Sequence, residues 1–122
     1  MPINEINFNN NYVTFKINGK KFVIINCSPE TVSITLNEQT FELTPSEIQI
    51  PYKISKKDYE SFNNLKLVKY TYLPIPEGKQ KINEISRKFK NFNRIIIITT
   101  KESAIAYKEL NFSLNIRIAT VN

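Results

Sequence analysis

Residues 12–25 read YVTFKINGKKFVII, and this stretch decides how the first half of the chain folds. It contains the pair Asn18-Gly19, which is typical of a type I′ turn because both central positions of that turn need a positive φ. β-branched and aromatic residues flank the pair, so the stretch predicts a β-hairpin with Phe15 opposite Phe22. Side chains on a strand alternate between two faces. The apolar side chains predicted to share one face are Val13, Phe15, Ile17, Phe22 and Ile24.

Polar and apolar residues continue to alternate after this hairpin. Residues 31–36 and 40–43 predict two further strands, joined by a turn at 37–39, with one face towards solvent. Residues 48–54 alternate again and predict a fifth strand, in which Pro51 favours an edge position. Five short strands in sequence are typical of an antiparallel meander.

The second half of the chain alternates between helix and strand signals. Ser55 and Asp58 have the spacing of a capping box, which predicts a helix. A stripe of apolar residues at helical spacing predicts another helix at 80–92. Residues 94–100 read RIIIITT, an apolar run typical of a strand covered on both faces. The predicted elements are a helix at 55–64, a strand at 65–73, a helix at 80–92, a strand at 94–100, a helix at 101–109 and a strand at 115–121.

These elements predict an α+β fold in two parts. Residues 1–52 form an N-terminal antiparallel β-meander of about five short strands, either a curled sheet or a small barrel. Residues 53–122 form a small basic α/β half in the order α-β-α-β-α-β, with a parallel or mixed sheet. The junction at 51–55 reads PYKIS and contains no Gly- or Ser-rich linker. We therefore expect the two parts to pack as one compact unit.

Composition argues against several kinds of chemistry. The chain has no His and a single Cys, so it lacks an imidazole base, a His-ligated or Cys₄ zinc site and an intrachain disulfide. Its eleven acidic residues are scattered, unlike the paired or clustered carboxylates of glycosidases and two-metal enzymes. We therefore expect a protein that is not an enzyme and uses no metal or other cofactor. Cys27 ends an apolar run and is expected to be a buried structural thiol.

Charge is divided unevenly along the chain, whose net charge is +6. Residues 1–52 carry three basic and five acidic residues, a balance of −2, and residues 53–122 carry fourteen basic and six acidic residues, a balance of +8. This asymmetry favours a basic binding half on a near-neutral support. The alternative is that a lysine-rich chain is basic only for solubility.

The predicted helix at 80–92 and its flanks hold most of the candidate phosphate contacts. Its basic residues lie opposite the apolar stripe, where they would neutralise phosphates and release counterions. An amphipathic surface helix of a lysine-rich protein has a similar pattern, which is the structural alternative. The residues predicted to bind nucleic acid are Lys79, Lys81, Arg87, Lys88, Lys90, Arg94 and Lys101.

Two further features have both a functional and a structural interpretation. Tyr70 and Tyr72 share one face of a predicted strand among lysines, where they would stack on bases or pack against a helix. Thr99, Thr100 and Ser103 follow the apolar strand and predict an anion site or, alternatively, the cap of the next helix. Neither of the two common glycine-rich phosphate-binding motifs is present.

The first functional interpretation is a non-enzymatic nucleic-acid-binding accessory protein, with DNA or RNA as its partner. The alternative is a protein-binding adaptor or inhibitor without catalysis, of the kind encoded by viruses and mobile elements. A third interpretation is a nucleotide- or phosphate-binding domain. The sequence shows no signal-peptide pattern and no apolar run long enough to span a membrane. We therefore expect a cytoplasmic protein with no membrane partner. The sequence predicts no particular oligomeric state.

Overall fold

The computed structural model describes residues 2–62, 65–108, 110 and 115–121. Within these residues the chain forms nine strands and two helices. The strands are β1 (Ile3–Asn9), β2 (Tyr12–Ile17), β3 (Lys20–Asn26), β4 (Val32–Leu36), β5 (Gln39–Leu43), β6 (Tyr52–Phe62), β7 (Leu65–Pro74), β8 (Arg94–Ile98) and β9 (Ile116–Ala119). The helices are α1 (Pro76–Lys88) and α2 (Lys101–Tyr107), and neither of these two is long and apolar enough to cross a membrane.

The Asn18-Gly19 turn joins β2 to β3 as the sequence predicts. Asn18 has a φ of 52° and Gly19 a φ of 75°, which a type I′ turn requires. The register sets Phe15 opposite Phe22, and their rings stack with centroids 5.4 Å apart. β1 was not predicted from the sequence; it pairs antiparallel with β2 and completes a three-stranded meander.

One mixed sheet joins strands from both sides of residue 52, and the α+β class is confirmed. Its order is β1-β2-β3-β8-β9, with β8 parallel to β3 and β9 parallel to β8. The other described strands form two separate hairpins, β4–β5 and β6–β7. The five-stranded sheet is open, so the small barrel predicted as one form of the N-terminal strands is wrong. The meander stops at β3 because the chain then leaves the sheet and returns only at β8.

The central strands are covered on both faces. On one side lies the helix-side core, whose members include Val23, Ile25, Ile82, Ile85, Ile95 and Ile97. On the other side the β4–β5 hairpin packs on the sheet in the hairpin-side core, whose members include Val13, Phe15, Ile24, Leu36, Leu43 and Ile98. Successive residues of β3 and β8 face different cores, because strand side chains alternate. The predicted central strand within residues 94–100 is confirmed as β8.

The predicted helix at 55–64 is wrong. This segment belongs to β6, which pairs antiparallel with β7 from Tyr52 opposite Pro74 to Phe62 opposite Leu65. The predicted residues 63–64 lie outside the described residues. β7 is rich in Val, Thr and Tyr, which favour extended backbone, and pairing with it outweighs a local capping signal in a helix too short to be stable alone.

Other boundaries differ less from the prediction. The fifth strand predicted at 48–54 begins only at Tyr52, since Pro51 has no N–H to donate to a ladder. α1 begins and ends four residues earlier than predicted, and Pro76 lies in its first turn. Backbone N–H groups of the first turn have no acceptor within the helix, so the N–H that proline lacks costs no hydrogen bond there. The last predicted helix and strand correspond to α2 and β9, and residue 109 lies outside the described residues.

Asn26 fastens the β4–β5 hairpin to the end of β3. Its side chain is fully buried, and Nδ2 donates to the carbonyls of Glu30 (2.7 Å) and Leu43 (2.8 Å). Oδ1 accepts from the Ser28 N–H (3.0 Å) and from the Ser28 hydroxyl (2.6 Å). All four hydrogen bonds that an amide side chain can make are therefore formed, which offsets the cost of burying it.

We expect Asn26→Ala to lower the free energy of unfolding by about 2–4 kcal/mol, because it leaves several buried groups without partners. Urea denaturation followed by circular dichroism measures the change. Asn91→Ala is the control, since Asn91 is exposed in the turn after α1 and its replacement should cost less than about 0.5 kcal/mol. If Asn26→Ala were as stable as this control, the fastening role of Asn26 would be wrong.

Cys27 is buried, as the sequence predicts. Burial raises the pKa of its thiol from 9.0 to about 11, although a hydrogen bond from the Ser46 hydroxyl (3.6 Å) lowers it. The folded protein therefore keeps this proton at pH values where the unfolded chain loses it. The stability that follows is fully present below pH 9 and is lost as the pH rises towards 11.

We expect iodoacetamide to label Cys27 at pH 8 only when urea unfolds the chain, because the thiolate is the reactive form. Between pH 9 and pH 11 the urea midpoint should fall more steeply for the wild type than for Cys27→Ala, which cannot titrate. Mass spectrometry measures the labelling. Rapid labelling of the native protein, or identical pH slopes for the two proteins, would be inconsistent with a buried neutral thiol.

Candidate nucleic-acid interface

α1 ends at the same end of the molecule at which β3, β8 and β9 begin. Only residues 89–93 connect α1 to β8, and two hydrogen bonds fix this connection to β3. The Asn93 N–H donates to the Lys21 carbonyl (2.9 Å), and the Lys21 N–H donates to Asn93 Oδ1 (2.8 Å). Because the three strands are parallel, their first residues share this end of the sheet. Its cations, which we call the basic end, are Lys20, Lys21, Arg87, Lys88, Lys90, Arg94 and Arg117.

An open groove of about 550 Å³ crosses the basic end on the sheet face opposite the helices. Arg94 pairs in register with Phe22, and Arg117 with Ile96, so both guanidinium groups project from this face on neighbouring strands. The lining residues are Lys20, Phe22, Asn93, Arg94, Asn115 and Arg117. The lining residues include three cations and no carboxylate, so the groove has a positive potential. Guanidinium groups can bind a phosphate through two hydrogen bonds at once.

On the helix side of the sheet, lysines lie over aromatic rings; Lys21 does so at the basic end, whereas Lys88 reaches Tyr12, which pairs with Ile25 near the other end of β3. Lys88 Nζ is 4.9 Å from the ring centroid of Tyr12, and Lys21 Nζ is 5.9 Å from that of Phe92. Cation–π attraction orients these ammonium groups without neutralising them. The basic end therefore presents positive charge on both faces of the sheet.

The structure brings together four of the seven residues predicted to bind nucleic acid. Arg87, Lys88, Lys90 and Arg94 belong to the basic end. Lys79 lies in the first turn of α1, nine residues or about 13 Å along the helix axis from Lys88. Lys101 begins α2, after the carboxyl end of β8. Lys81 lies between the two ends of α1 and is half-buried.

Sequence reasoning missed Lys20, Lys21 and Arg117. The two lysines belong to the near-neutral half of the sequence, and only the pairing of β3 with β8 sets them beside Arg94. The sequence does show that Lys20, Lys21 and Arg94 stand at the start of apolar strands. This pattern predicts a common basic surface only when the two strands are known to be parallel. Arg117 lies just after the start of β9, in a strand that was predicted but not placed in the sheet.

The hydroxyl groups of the predicted anion site differ in their surroundings. Thr100 Oγ1 accepts from the Ser103 N–H (3.1 Å) as the cap of α2, and the Ser103 hydroxyl donates to the Ile50 carbonyl (2.6 Å). Thr99 Oγ1 is buried and has no hydrogen-bond partner among the described residues. Thr99, Thr100 and Lys101 line an open groove of about 280 Å³, which Glu30 also lines. Capping accounts for Thr100, and the anion site stays a prediction.

The two tyrosines predicted to stack on bases lie at different depths. Tyr72 packs against Tyr52 with ring centroids 5.5 Å apart, beside the helix-side core. Tyr70, two residues earlier in β7, has 57% of its surface exposed. Of the pair, only Tyr70 offers most of its ring to a partner.

Acidic residues are concentrated in the segment of the chain that includes the β4–β5 hairpin. Residues 22–52 contain four Glu and no Lys or Arg, so they carry −4 and the rest of the chain +10. This segment includes the β4–β5 hairpin, with Glu38 in its turn and Glu42 on β5. Comparison of the chain with protein-family models, with curated proteins and with solved structures found no match. Function is therefore inferred from the chain's own surfaces.

Proposed function

We propose that this protein is a non-enzymatic nucleic-acid-binding accessory protein whose basic end contacts phosphates. The observation that carries the proposal is the convergence of cations from α1, β3, β8 and β9 on one end of the sheet. Each phosphate that they neutralise releases condensed counterions, which is the main source of affinity in binding of this kind. A cytoplasmic location is part of the proposal.

Solubility alone explains this arrangement less well. Scattered cations keep a protein soluble, whereas like charges gathered at one end repel each other and oppose folding. Arg87 and Lys88 gain some stability from the carboxyl end of the α1 dipole, but Arg94 and Arg117 lie on strands and have no such role. A polyanionic ligand relieves the repulsion. The groove lining of lysine, arginine, asparagine and phenylalanine is suited to holding phosphates, and we propose binding without catalysis.

Fluorescence anisotropy with a labelled DNA duplex and a labelled single strand, titrated at 50 and 200 mM salt, tests the proposal. About four phosphate contacts at the basic end alone should make affinity fall roughly a hundredfold over this range, at a slope of about −0.9 per contact for a duplex. The ratio of duplex to single-strand affinity identifies the preferred form. Absence of binding at 50 mM salt would reject the proposal.

A pair of matched variants separates a defined surface from net charge. Arg94→Glu/Arg117→Glu changes the basic end, and Lys79→Glu/Lys101→Glu makes the same charge change away from it. We expect the first variant to bind at least tenfold more weakly at 50 mM salt, with a shallower salt slope. The second should stay within about threefold of the wild type, and its new carboxylates lie in first helical turns, which tolerate them. Equal losses in the two variants would mean that net charge alone drives binding.

A second candidate function is a protein-binding adaptor or inhibitor without catalysis. One observation favours it: several apolar side chains of the β6–β7 hairpin are exposed, among them Ile54, Leu67 and Tyr70. Exposed apolar patches commonly mark protein-binding surfaces. Capture of a partner that survives nuclease and moderate salt would support this function over the first.

A further inference from the structure

The β6–β7 hairpin, which we call the arm, is a two-stranded ribbon separate from the main sheet. Its strands stay paired from Tyr52 opposite Pro74 to Tyr59 opposite Leu67, and again where Phe62 lies opposite Leu65. β7 has ten residues, which at about 3.3 Å each give the arm a length of about 30 Å. α2 packs against both strands, and Tyr52, Ser55 and Tyr72 are half-buried, but most of the other described side chains of the arm are exposed. A two-stranded ribbon is only marginally stable in water by itself. The arm therefore needs contacts that anchor it to the protein, and its exposed side chains can contact a partner.

The anchor is Tyr107 of α2. Its hydroxyl donates to the Pro51 carbonyl (2.5 Å) and accepts from the Ile75 N–H (3.1 Å), so one group holds the chain just before and just after the arm. Gly78 makes room for this hydroxyl, since a Cβ there would overlap it. Tyr52 and Tyr72 pack beside the helix-side core and seat the base of the arm. The arm is thus fixed where it leaves the protein.

Beyond its base the arm has apolar and basic side chains on both faces. Directly opposed residues share a face, so the register assigns each side chain. One face carries Ile54, Lys56, Val68 and Tyr70, and the other carries Lys53, Lys57, Leu67, Lys69 and Leu73. All nine are exposed, with Ile54, Leu67 and Tyr70 each more than half exposed. A ribbon that lies on a flat partner gathers its apolar residues on one face, whereas this arm is suited to contact on both faces at once.

We propose that the arm enters the major groove of double-stranded DNA, as a second contact in addition to the basic end. The inference rests on the proposed function. The major groove of B-DNA is about 12 Å wide and admits a two-stranded β-ribbon. Its walls carry phosphates that suit the lysines on both faces, and its base edges carry thymine methyl groups that suit exposed apolar side chains, Leu67 on one face and Tyr70 on the other. The A-form RNA major groove is too narrow and deep for side chains, so the arm selects DNA.

The two contacts fit one duplex. The arm leaves the protein next to the first turn of α1, and the basic end includes the last turn of the same helix. α1 has 13 residues and is therefore about 20 Å long. This separation is less than one turn of B-DNA, which is about 34 Å. A single molecule thus reaches a groove and neighbouring phosphates together.

Two arm variants of the full chain separate the apolar from the basic contacts in anisotropy with a 24-base-pair DNA duplex. Leu67→Ser/Tyr70→Ser should weaken binding about tenfold without changing the salt slope, because no phosphate contact is lost. Lys53→Gln/Lys56→Gln/Lys69→Gln should make the slope shallower by about 2.7, at 0.9 per contact. Ile105→Ser/Val121→Ser is the control, since both residues are exposed and apolar but lie outside the arm. The control should bind as the wild type does.

Groove choice has a direct chemical readout. Dimethyl sulfate methylates guanine N7, which lies in the major groove. The wild type should protect N7 positions in the bound duplex, and Leu67→Ser/Tyr70→Ser should lose this protection even when enough protein is added to saturate the duplex. A duplex RNA of the same sequence should bind at least tenfold more weakly than the DNA. Unprotected N7 in the wild-type complex, or equal affinity for the RNA, would overturn the groove assignment.

The remaining outcomes distinguish this inference from the proposed function. If the duplex binds and all arm variants bind as the wild type does, the arm proposal is wrong and the proposed function stands. If the chain binds no nucleic acid at 50 mM salt, both are wrong. If arm variants bind DNA normally but Leu67→Ser/Tyr70→Ser abolishes a dimer seen by sedimentation, the arm is a protein-binding surface, and the DNA groove is excluded as its partner.

Discussion

The parallel pairing of β3 with β8 is the constraint on which the rest of the structure depends. It gives both strands neighbours on either side and lets the helices cover one face while the β4–β5 hairpin covers the other. It also requires α1 to run back along the sheet, so that the connection at residues 89–93 meets the first residues of three strands. The basic end is a direct result, because it consists of cations at strand starts and at a helix end that this pairing brings together.

The connection between β3 and β8 accounts for most of the features outside the sheet. It contains the acidic β4–β5 hairpin, the arm and α1. The first two are fixed by buried polar groups: Asn26 holds the hairpin through four hydrogen bonds, and the Tyr107 hydroxyl holds both ends of the arm. Buried amides and hydroxyls whose partners are all present rigidify the structure around them. In this protein they fix the acidic hairpin and the arm to the rest of the fold.

Local signals predicted the local structure well. The Asn18-Gly19 turn, the apolar stripe of α1 and the apolar run of β8 each depend on neighbours in sequence, and each is found in the structure. The sequence predicts a helix in the segment of β6 because its capping signal is local, whereas pairing with β7 outweighs that signal. Three of the seven cations of the candidate site were equally out of reach. Lys20 and Lys21 are far from Arg94 in sequence and meet it only through a parallel pair, which no short-range pattern encodes.

Hydrogen–deuterium exchange of the full chain, with and without a 24-base-pair DNA duplex at 50 mM salt, tests the central claim most directly. The claim is that parallel pairing gathers cations from separate segments into one phosphate-binding surface. It predicts slower exchange in the duplex complex at residues 20–22 and 89–94 together, with no change in the acidic hairpin at 32–43. Protection of only one of the two basic segments, or protection centred on the acidic hairpin, would contradict it.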